Sequence, residues 1–370
     1  MSLIERISNQ IREKGDISFA EYMHLALYHP KFGYYSAGLP KFGRGGDFVT
    51  APELTPFFGY ALANQCEPIL RELESPSILE FGAGSGRLCV DILTRLNALV
   101  CLPEVYYILE VSPNLRYRQE VLIQEQLPDL ASRVQWLSKW PEKPFNGILI
   151  ANEVLDAMPV NRFVVEKSQL LESHISLDSE GKLKEIYKPS ENERLIHHIE
   201  TRLPSVSNPY QSEVNLFING WINAASTILL HGVVLILDYG FPRQEYYHPD
   251  RQMGTLMCHY QHQSHTNPLA HPGEEDITAH VDFTHVAEAA VDAGFQILGY
   301  TNQAAFLLAN RILDFLTDVA SETERVKHTQ AVKLLLQESE MGELFKVMAL
   351  GKRFDEPLSG FQLFDKRSSL

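Results

Sequence analysis

Hydrophobic positions along the chain follow two periods in turn. Short β-branched runs fall at residues 77–81, 105–111, 134–138, 147–152, 233–238, 295–301 and 344–350. The first four are spaced by stretches with apolar residues at helical intervals, among them 87–96 and 113–126. Strands separated by helices in this way pack as βα units, so the pattern predicts an α/β protein built on a mostly parallel, doubly wound sheet of seven strands.

Two stretches break the rhythm. About 80 residues separate Asn152 from Val233, where a single crossover helix would suffice. Within them 162–188 alternates as antiparallel strands do and 193–202 has helical spacing, which predicts an inserted accessory subdomain. At the other end, helical spacing over 3–11 gives way to YHPKFGYYSAGLPKFGRGGDFVTAPE, residues 28–53. A loop this long predicts a functional lid, with Gly33, Gly38, Gly43, Gly45 and Gly46 giving it freedom to close. The segment Gly43 to Asp47, GRGGD, occurs once in an acidic chain and reads as a lid hinge, not an RNA-binding repeat. The predicted division is 1–60 cap and lid, 61–160 ligand-binding core, 161–230 insertion, and 231–370 the rest of the core with a cleft-lining loop.

Composition narrows the function. The chain has 370 residues, 45% of them hydrophobic and 21% charged, enough for one large core and an accessory region. No apolar run approaches the roughly 20 residues of a membrane helix, so no membrane partner is expected. The opening MSLIERISNQIREKG is charged where a secretory signal is apolar, and too acidic for a transit peptide, which predicts a cytoplasmic protein. A formal charge of −15 opposes nucleic-acid binding, and it fits either a cationic partner or a charge that confers only solubility. Four cysteines without a CxxC pair suggest neither disulfides nor a thiolate zinc site.

The run at 77–81 ends in Glu80-Phe-Gly82-Ala-Gly84-Ser-Gly86, directly before a predicted helix. Glycines there let a ligand approach the backbone and the N–H groups opening the helix. The dinucleotide fingerprint requires Gly or Ala where this chain has Arg87, so a nicotinamide or flavin cofactor fits less well. E-x-G-x-G-x-G instead resembles motif I of class I methyltransferases, which bind S-adenosylmethionine (SAM). Glu110, 26 residues after Gly84 at the tip of the second predicted strand, is placed to bind ribose hydroxyls. Taken alone, GAGSG is also compatible with an ordinary tight turn.

Further motifs carry a more specific resemblance. LYHPKFGYYS, GDFVTAPELTPFFG, ILEFGAGSGRL, NEVLDAMPVNRF, LILDYGFP, GTLMCHYQH, PGEEDITAHVDFTHV and FKVMALGK occur in order over nearly the whole chain. Together they resemble the MidA family, which includes the mitochondrial complex I assembly methyltransferase. The resemblance implies a class I, Rossmann-like, seven-stranded SAM-dependent methyltransferase fold whose last strand, 344–350, inserts antiparallel beside the fifth. It also implies methylation of protein arginine, in the family linked to the 49-kDa-type subunit of respiratory complex I. Carried onto this sequence, the cofactor contacts are Thr50, Pro52, Glu53, Glu80, Gly82, Gly84, Gly86, Glu110 and Asn152. Thr50 and Glu53 also have the spacing of a helix capping box.

Paired carboxylates orient a guanidinium by bidentate hydrogen bonds. Glu153 and Asp156, following the fourth strand in Asn152-Glu153-Val-Leu-Asp156, are the candidate acceptor-site pair; the competing reading is a helix opening capped by Asn152. His280 and Asp282 are further catalytic candidates, with His262 and Asp276 on the same motifs and Asp238 and Tyr239 at the rim. The segment from His248 to Asp282 is rich in histidine, but in a predicted loop without paired ligands, so no metal is assigned. An alternative to turnover is a SAM-binding assembly chaperone; a nicotinamide oxidoreductase is the third reading.

Overall fold

Ser77–Phe81 (β1) is buried along its whole length, as a strand with sheet neighbours on both sides and helices on both faces must be. The computed structural model describes residues 2–36, 50–204, 206 and 208–370. In it β1 pairs in parallel with Tyr106–Leu109 (β2) and with Phe145–Asn152 (β4). Val134–Leu137 (β3) extends the sheet beyond β2, and Leu229–Phe241 (β5) joins in parallel to β4. Gln296–Asn302 (β6) forms the far edge, and Phe345–Lys352 (β7) lies antiparallel between β5 and β6. The spatial order is therefore β6-β7-β5-β4-β1-β2-β3, with the two-residue strand Val281–Asp282 added beside the end of β5.

Side chains of successive strand residues go to opposite faces and into two separate cores. Ile78, Ile148, Ile150, Val233 and Leu235 pack with helices Pro56–Glu72 and Arg87–Ala98 on one face. Leu79, Leu149, Ala151, Val234 and Ile236 pack with Ile218–Ile228 and Phe283–Asp292 on the other. Local chemistry starts the helices at the cofactor edge. Arg87–Ala98 begins at Gly86, whose φ of 88° is left-handed. Pro113–Gln126 begins with Pro at its first position, while Ser112 accepts the Leu115 N–H.

The insertion after β4 is an antiparallel sheet of Asn161–Glu166, Gln169–Leu177, Leu183–Pro189 and Tyr210–Val214, with helix Glu193–Arg202. Its fifth strand comes from the N-terminal segment. Ile17 and Ser18 pair antiparallel with Ile175 and His174, so the predicted cap and the predicted insertion share one sheet. Among the described residues, no helix is long and apolar enough to cross a membrane.

Candidate active site

The cleft opens at the carboxyl ends of β1, β2, β4 and β5, where doubly wound sheets hold their ligands. Gly82, Gly84 and Gly86 all have left-handed backbone, with φ of 57°, 54° and 88°. A Cβ on Gly86 would sit 3.2 Å from Gln119, so the turn closes tightly on the neighbouring helix. Gln119 secures it further. Its amide donates to Gly84 O and to Glu110 Oε2, both at 3.0 Å, and its oxygen accepts the Trp136 indole N–H at 2.9 Å. Glu110, 7% exposed at the tip of β2, also accepts the Ser112 N–H at 2.8 Å. Its carboxylate is therefore fixed beside the glycine turn.

Glu80 is buried against Tyr106, whose hydroxyl donates to it at 2.7 Å, and burial raises its carboxyl to about 7. Glu53 accepts a hydrogen bond from Ser85 of the glycine turn, tying the short helix Ala51–Leu54 to the cofactor edge. Thr50 stands at the helix N-cap position but makes no side-chain capping bond. Thr50, Pro52, Glu53, Glu80, Gly82, Gly84, Glu110 and Asn152 all line the cleft; Gly86 does not, and packs against Gln119.

β4 ends at Asn152, and Glu153 follows with φ of 54°, a left-handed conformation rare for a residue with a side chain. Strain of this kind, about 1–3 kcal/mol, is held where the surroundings over-determine it. The Glu153 N–H donates to Leu237 O at 2.9 Å, and its carboxylate accepts from Tyr239 Oη at 3.1 Å and Asn152 Nδ2 at 3.2 Å. Burial pushes the Glu153 carboxyl up to about 7, against the pull of Tyr239, Asn152 and the Ala51 N–H. No helix follows β4, so the capping reading of Asn152 does not arise. Asp238 instead takes the N–H groups of Val154, Leu155 and Asp156 at 3.2, 2.9 and 3.3 Å, and that of Tyr239 at 2.9 Å. Burial pushes both Asp238 and Asp156 above the usual carboxylate range, and the charge of Asp238 adds to the rise in Asp156, while the N–H groups of Leu155, Asp156 and Tyr239 oppose the rise in Asp238.

In the same cleft as Glu153, Tyr28 and Tyr35 stack with ring centroids 5.5 Å apart. Tyr28 donates to Ala157 O at 2.9 Å and Tyr35 to Asp276 Oδ1 at 2.8 Å. These two tyrosines and Gln119 are not among the candidates drawn from the sequence. Tyr28 and Tyr35 fall in the stretch read as lid, where a tyrosine cluster beside glycines was the available signal; a mid-helix glutamine gives none.

Three candidates are corrected. His280 stacks on Phe241, ring centroids 5.3 Å apart, and lines a separate cavity with Arg251 and Thr255. Burial lowers it to about 4, so it is a neutral ring outside the cleft. Asp282 caps helix Phe283–Asp292 through the His285 N–H at 3.1 Å and pairs with Arg243 at 3.2 Å, a structural commitment away from the cleft. His262 is likewise absent from the cleft wall: it is exposed at the tip of a hairpin, with φ of 64°. Gly33 is described, in a turn before Tyr34, whereas Gly38, Gly43, Gly45 and Gly46 and the GRGGD segment lie outside the described residues.

The cleft suits SAM on the structure's own terms. Glycine backbone is exposed at the end of β1, a Cβ on Gly82 would meet nothing nearer than Val154 Cγ2 at 3.8 Å, and a carboxylate waits at the end of β2. Asn152 Oδ1 and Asp156 Oδ1 are buried oxygens without a hydrogen-bond partner, as acceptors awaiting a ligand's N–H would be.

Sheet order, glycine turn and acidic cleft together define a class I, SAM-binding methyltransferase. Residues 61–301 match a family described as S-adenosyl-L-methionine-dependent methyltransferases, and the chain belongs to it. A Burkholderia thailandensis protein crystallised bound to S-adenosyl-homocysteine is 39% identical with a TM-score of 0.95 over 100% of this chain and 96% of that one. Among curated relatives, "Protein arginine methyltransferase NDUFAF7 homolog, mitochondrial" of Drosophila melanogaster is 27% identical over 94% of this chain and 84% of its own length. The Homo sapiens protein arginine methyltransferase NDUFAF7 is 26% identical over 94% and 83%. These relatives are named mitochondrial, which overturns the cytoplasmic expectation drawn from the opening residues. That segment forms helix Leu3–Lys14, which buries Leu3, Ile7 and Ile11, so its charge pattern follows from packing.

Proposed function

We propose that this methyltransferase acts on an arginine guanidinium of a protein substrate. One observation carries the reading: among the described residues, Glu53, Glu80, Glu110, Glu153, Asp156 and Asp276 line the cleft, and no lysine, arginine or histidine does. Such a cavity favours cations, and both a sulfonium and a guanidinium are cations. SAM, when bound, supplies a methyl group open to in-line displacement. Glu110 and the glycine turn hold the nucleoside side, and Asn152 presents an acceptor near the junction with Glu153. Glu153, steadied by Tyr239, orients the guanidinium through charge-assisted hydrogen bonds. Tyr28 and Tyr35 form an aromatic wall against which a planar cation can stack. Asp276, held by Tyr35, supplies a second carboxylate facing the same space.

By the family resemblance, the 49-kDa-type subunit of respiratory complex I is the substrate to try first. The test incubates the full chain with methyl-labelled SAM and that subunit, and locates label by tandem mass spectrometry. Label on arginine supports the reading. Label on lysine, glutamine or a carboxylate overturns it, as does an absence of transfer by protein that binds S-adenosylhomocysteine normally.

A further inference from the structure

The histidine-rich stretch set aside as a loop is folded. Met257–Tyr260 pairs antiparallel with Gln263–His265 across a two-residue turn, Gln261 and His262, both with positive φ as a type I′ hairpin requires. On its other edge Met257–Tyr260 pairs with Asp276–Thr278. Register then decides which side chains share a face. Cys258 lies opposite His265 on one side and Ile277 on the other, and Glu275, two residues before Ile277, shares that face.

One sulfur, one imidazole nitrogen and one carboxylate oxygen are thereby gathered within 4.8 Å of one another. His265 Nε2 and Glu275 Oε2 are 3.0 Å apart. Cys258 and Glu275 are both 0% exposed, and their face packs on the Tyr22 side of helix Phe19–Tyr28. Glu275 Oε1 accepts the His271 N–H at 3.3 Å, but Oε2 has no hydrogen-bond donor. A fully buried carboxylate oxygen in that state faces a histidine and a thiol without the hydrogen bond that burial normally demands.

We propose that Cys258, His265 and Glu275 form a zinc site that clasps the 257–265 hairpin to the segment carrying Asp276. The donor set, one sulfur, one nitrogen and one oxygen, suits Zn²⁺ better than magnesium or calcium, which prefer all-oxygen shells. Tetrahedral zinc bonds of about 2.0–2.3 Å place ligand atoms roughly 3.4–3.6 Å apart, so a shift of about 1 Å within the hairpin closes the set. Charge also balances: on binding, the Cys258 thiol loses its proton to solvent, and thiolate plus carboxylate neutralise the dication while His265 contributes a neutral ring. Three protein ligands leave a fourth position for water. Glu275 adjoins Asp276, so the clasp would fix one wall of the active cleft from outside it. Nothing in this inference depends on the identity of the methyl acceptor.

The test uses the full chain without a histidine tag, stripped by dialysis against a chelator and titrated with Zn²⁺ in competition with a chromophoric chelator. Wild type should take up one tight equivalent per chain, release at least one proton, and melt at a higher temperature when loaded. Cys258→Ser and His265→Ala should each weaken uptake by about 10² or more and abolish the melting shift, with S-adenosylhomocysteine binding serving as the check that each variant is folded. His265 is partly exposed at the strand end, so its variant is the safer folding case. Cobalt loading reports the sulfur directly, through a thiolate charge-transfer band that Cys258→Ser removes. Absence of a tight equivalent in wild type, an undiminished equivalent in both variants, or cobalt bound without that band would each overturn the assignment and leave His265–Glu275 as a simple ion pair.

Discussion

The Tyr239 hydroxyl donates to Glu153 Oε2 at 3.1 Å, linking the residue that follows β4 to β5 within the cleft. This bond favours the ionised carboxylate, while burial opposes it and holds Glu153 up near 7. A cation is oriented by the ionised form. Turnover should therefore rise with pH through about 7, in a single ionisation of the enzyme. Tyr239→Phe removes the stabilising donor and should move that limb to higher pH. A profile of kcat from pH 5.5 to 9 for both proteins checks this; coincident limbs would detach Tyr239 from the titration.

Glu153→Gln separates chemistry from stability. The variant keeps the shape and loses the charge, so methyl transfer should fall by about 10² or more while S-adenosylhomocysteine affinity changes little. The stability effect has a definite sign. A carboxyl raised from 4.5 to about 7 in the fold contributes stability below 4.5 and loses it as pH rises through 7, because the folded state must then bury a charge. At pH 8 the glutamine variant should accordingly melt higher than wild type, by about 1–3 °C. A cofactor defect as large as the rate defect would place Glu153 on SAM and not on the acceptor.

Glu110→Gln addresses the other end of the cleft. Glutamine still accepts the Ser112 N–H but sets an amide against the Gln119 side chain and removes the charge facing the ribose position. Affinity for S-adenosylhomocysteine, measured by calorimetry, should fall roughly ten- to a hundredfold, the loss of a charge-assisted hydrogen bond of about 1.5–3 kcal/mol. Unchanged affinity in a folded variant would remove Glu110 from the cofactor site.

Local signals made much of this legible. Each run of β-branched residues spaced by helices became a strand of the central sheet, with ends differing by a few residues, because parallel strands buried on both faces must be continuously apolar. Glu80, Gly82, Glu110 and Glu153 were legible because they sit at strand ends, where the fold itself points side chains at a ligand. What stayed hidden depended on long-range pairing. Ile17 and Ser18 join a strand more than 150 residues away, and nothing in their own sequence announces it. The 257–265 hairpin turns through Gln261 and His262, residues that do not carry the glycine or asparagine signature of a type I′ turn, so the segment read as loop. His280 and Asp282 stand within six residues of Asp276 in sequence, yet the short strand Val281–Asp282 pairs with Gly240 and Phe241 and carries them off the cleft.

Gly82→Ala and Gly86→Ala distinguish backbone strain from crowding. Both positions are left-handed, so each substitution should destabilise the fold by about 1–2 kcal/mol. At Gly86 the new methyl also meets the Gln119 side chain and backbone at 3.2–3.3 Å, disturbing the network that holds Glu110. Gly86→Ala should lower the melting temperature more than Gly82→Ala does, and both should weaken S-adenosylhomocysteine binding. Thermal melts of the two variants with and without that ligand make the comparison; a larger loss at Gly82 would contradict the packing argument.

Asp238 gives the sharpest structural prediction, because its role differs from that of its acidic neighbours. It is 0% exposed and accepts four backbone N–H groups, three of them from the turn that follows Glu153. Those bonds hold the turn in place of the helix that β4 lacks, and through it they hold Glu153 in its left-handed conformation. In Asp238→Asn one oxygen becomes an amide that must face N–H groups it cannot accept from. Whichever way the amide turns, at least one buried donor loses its partner, at a cost of about 1–3 kcal/mol for each. Turnover should fall with stability, since a relaxed turn lets Glu153 leave the position that Tyr239 now fixes. Asp156 also loses an acidic neighbour that raises its carboxyl, so that carboxyl should titrate lower than in wild type. Melting temperature, kcat and S-adenosylhomocysteine affinity measured on the same preparation separate the possibilities. A lower melting temperature with lower kcat and near-normal cofactor affinity fits a positioning role; normal stability with abolished transfer would instead make Asp238 a direct participant in the reaction.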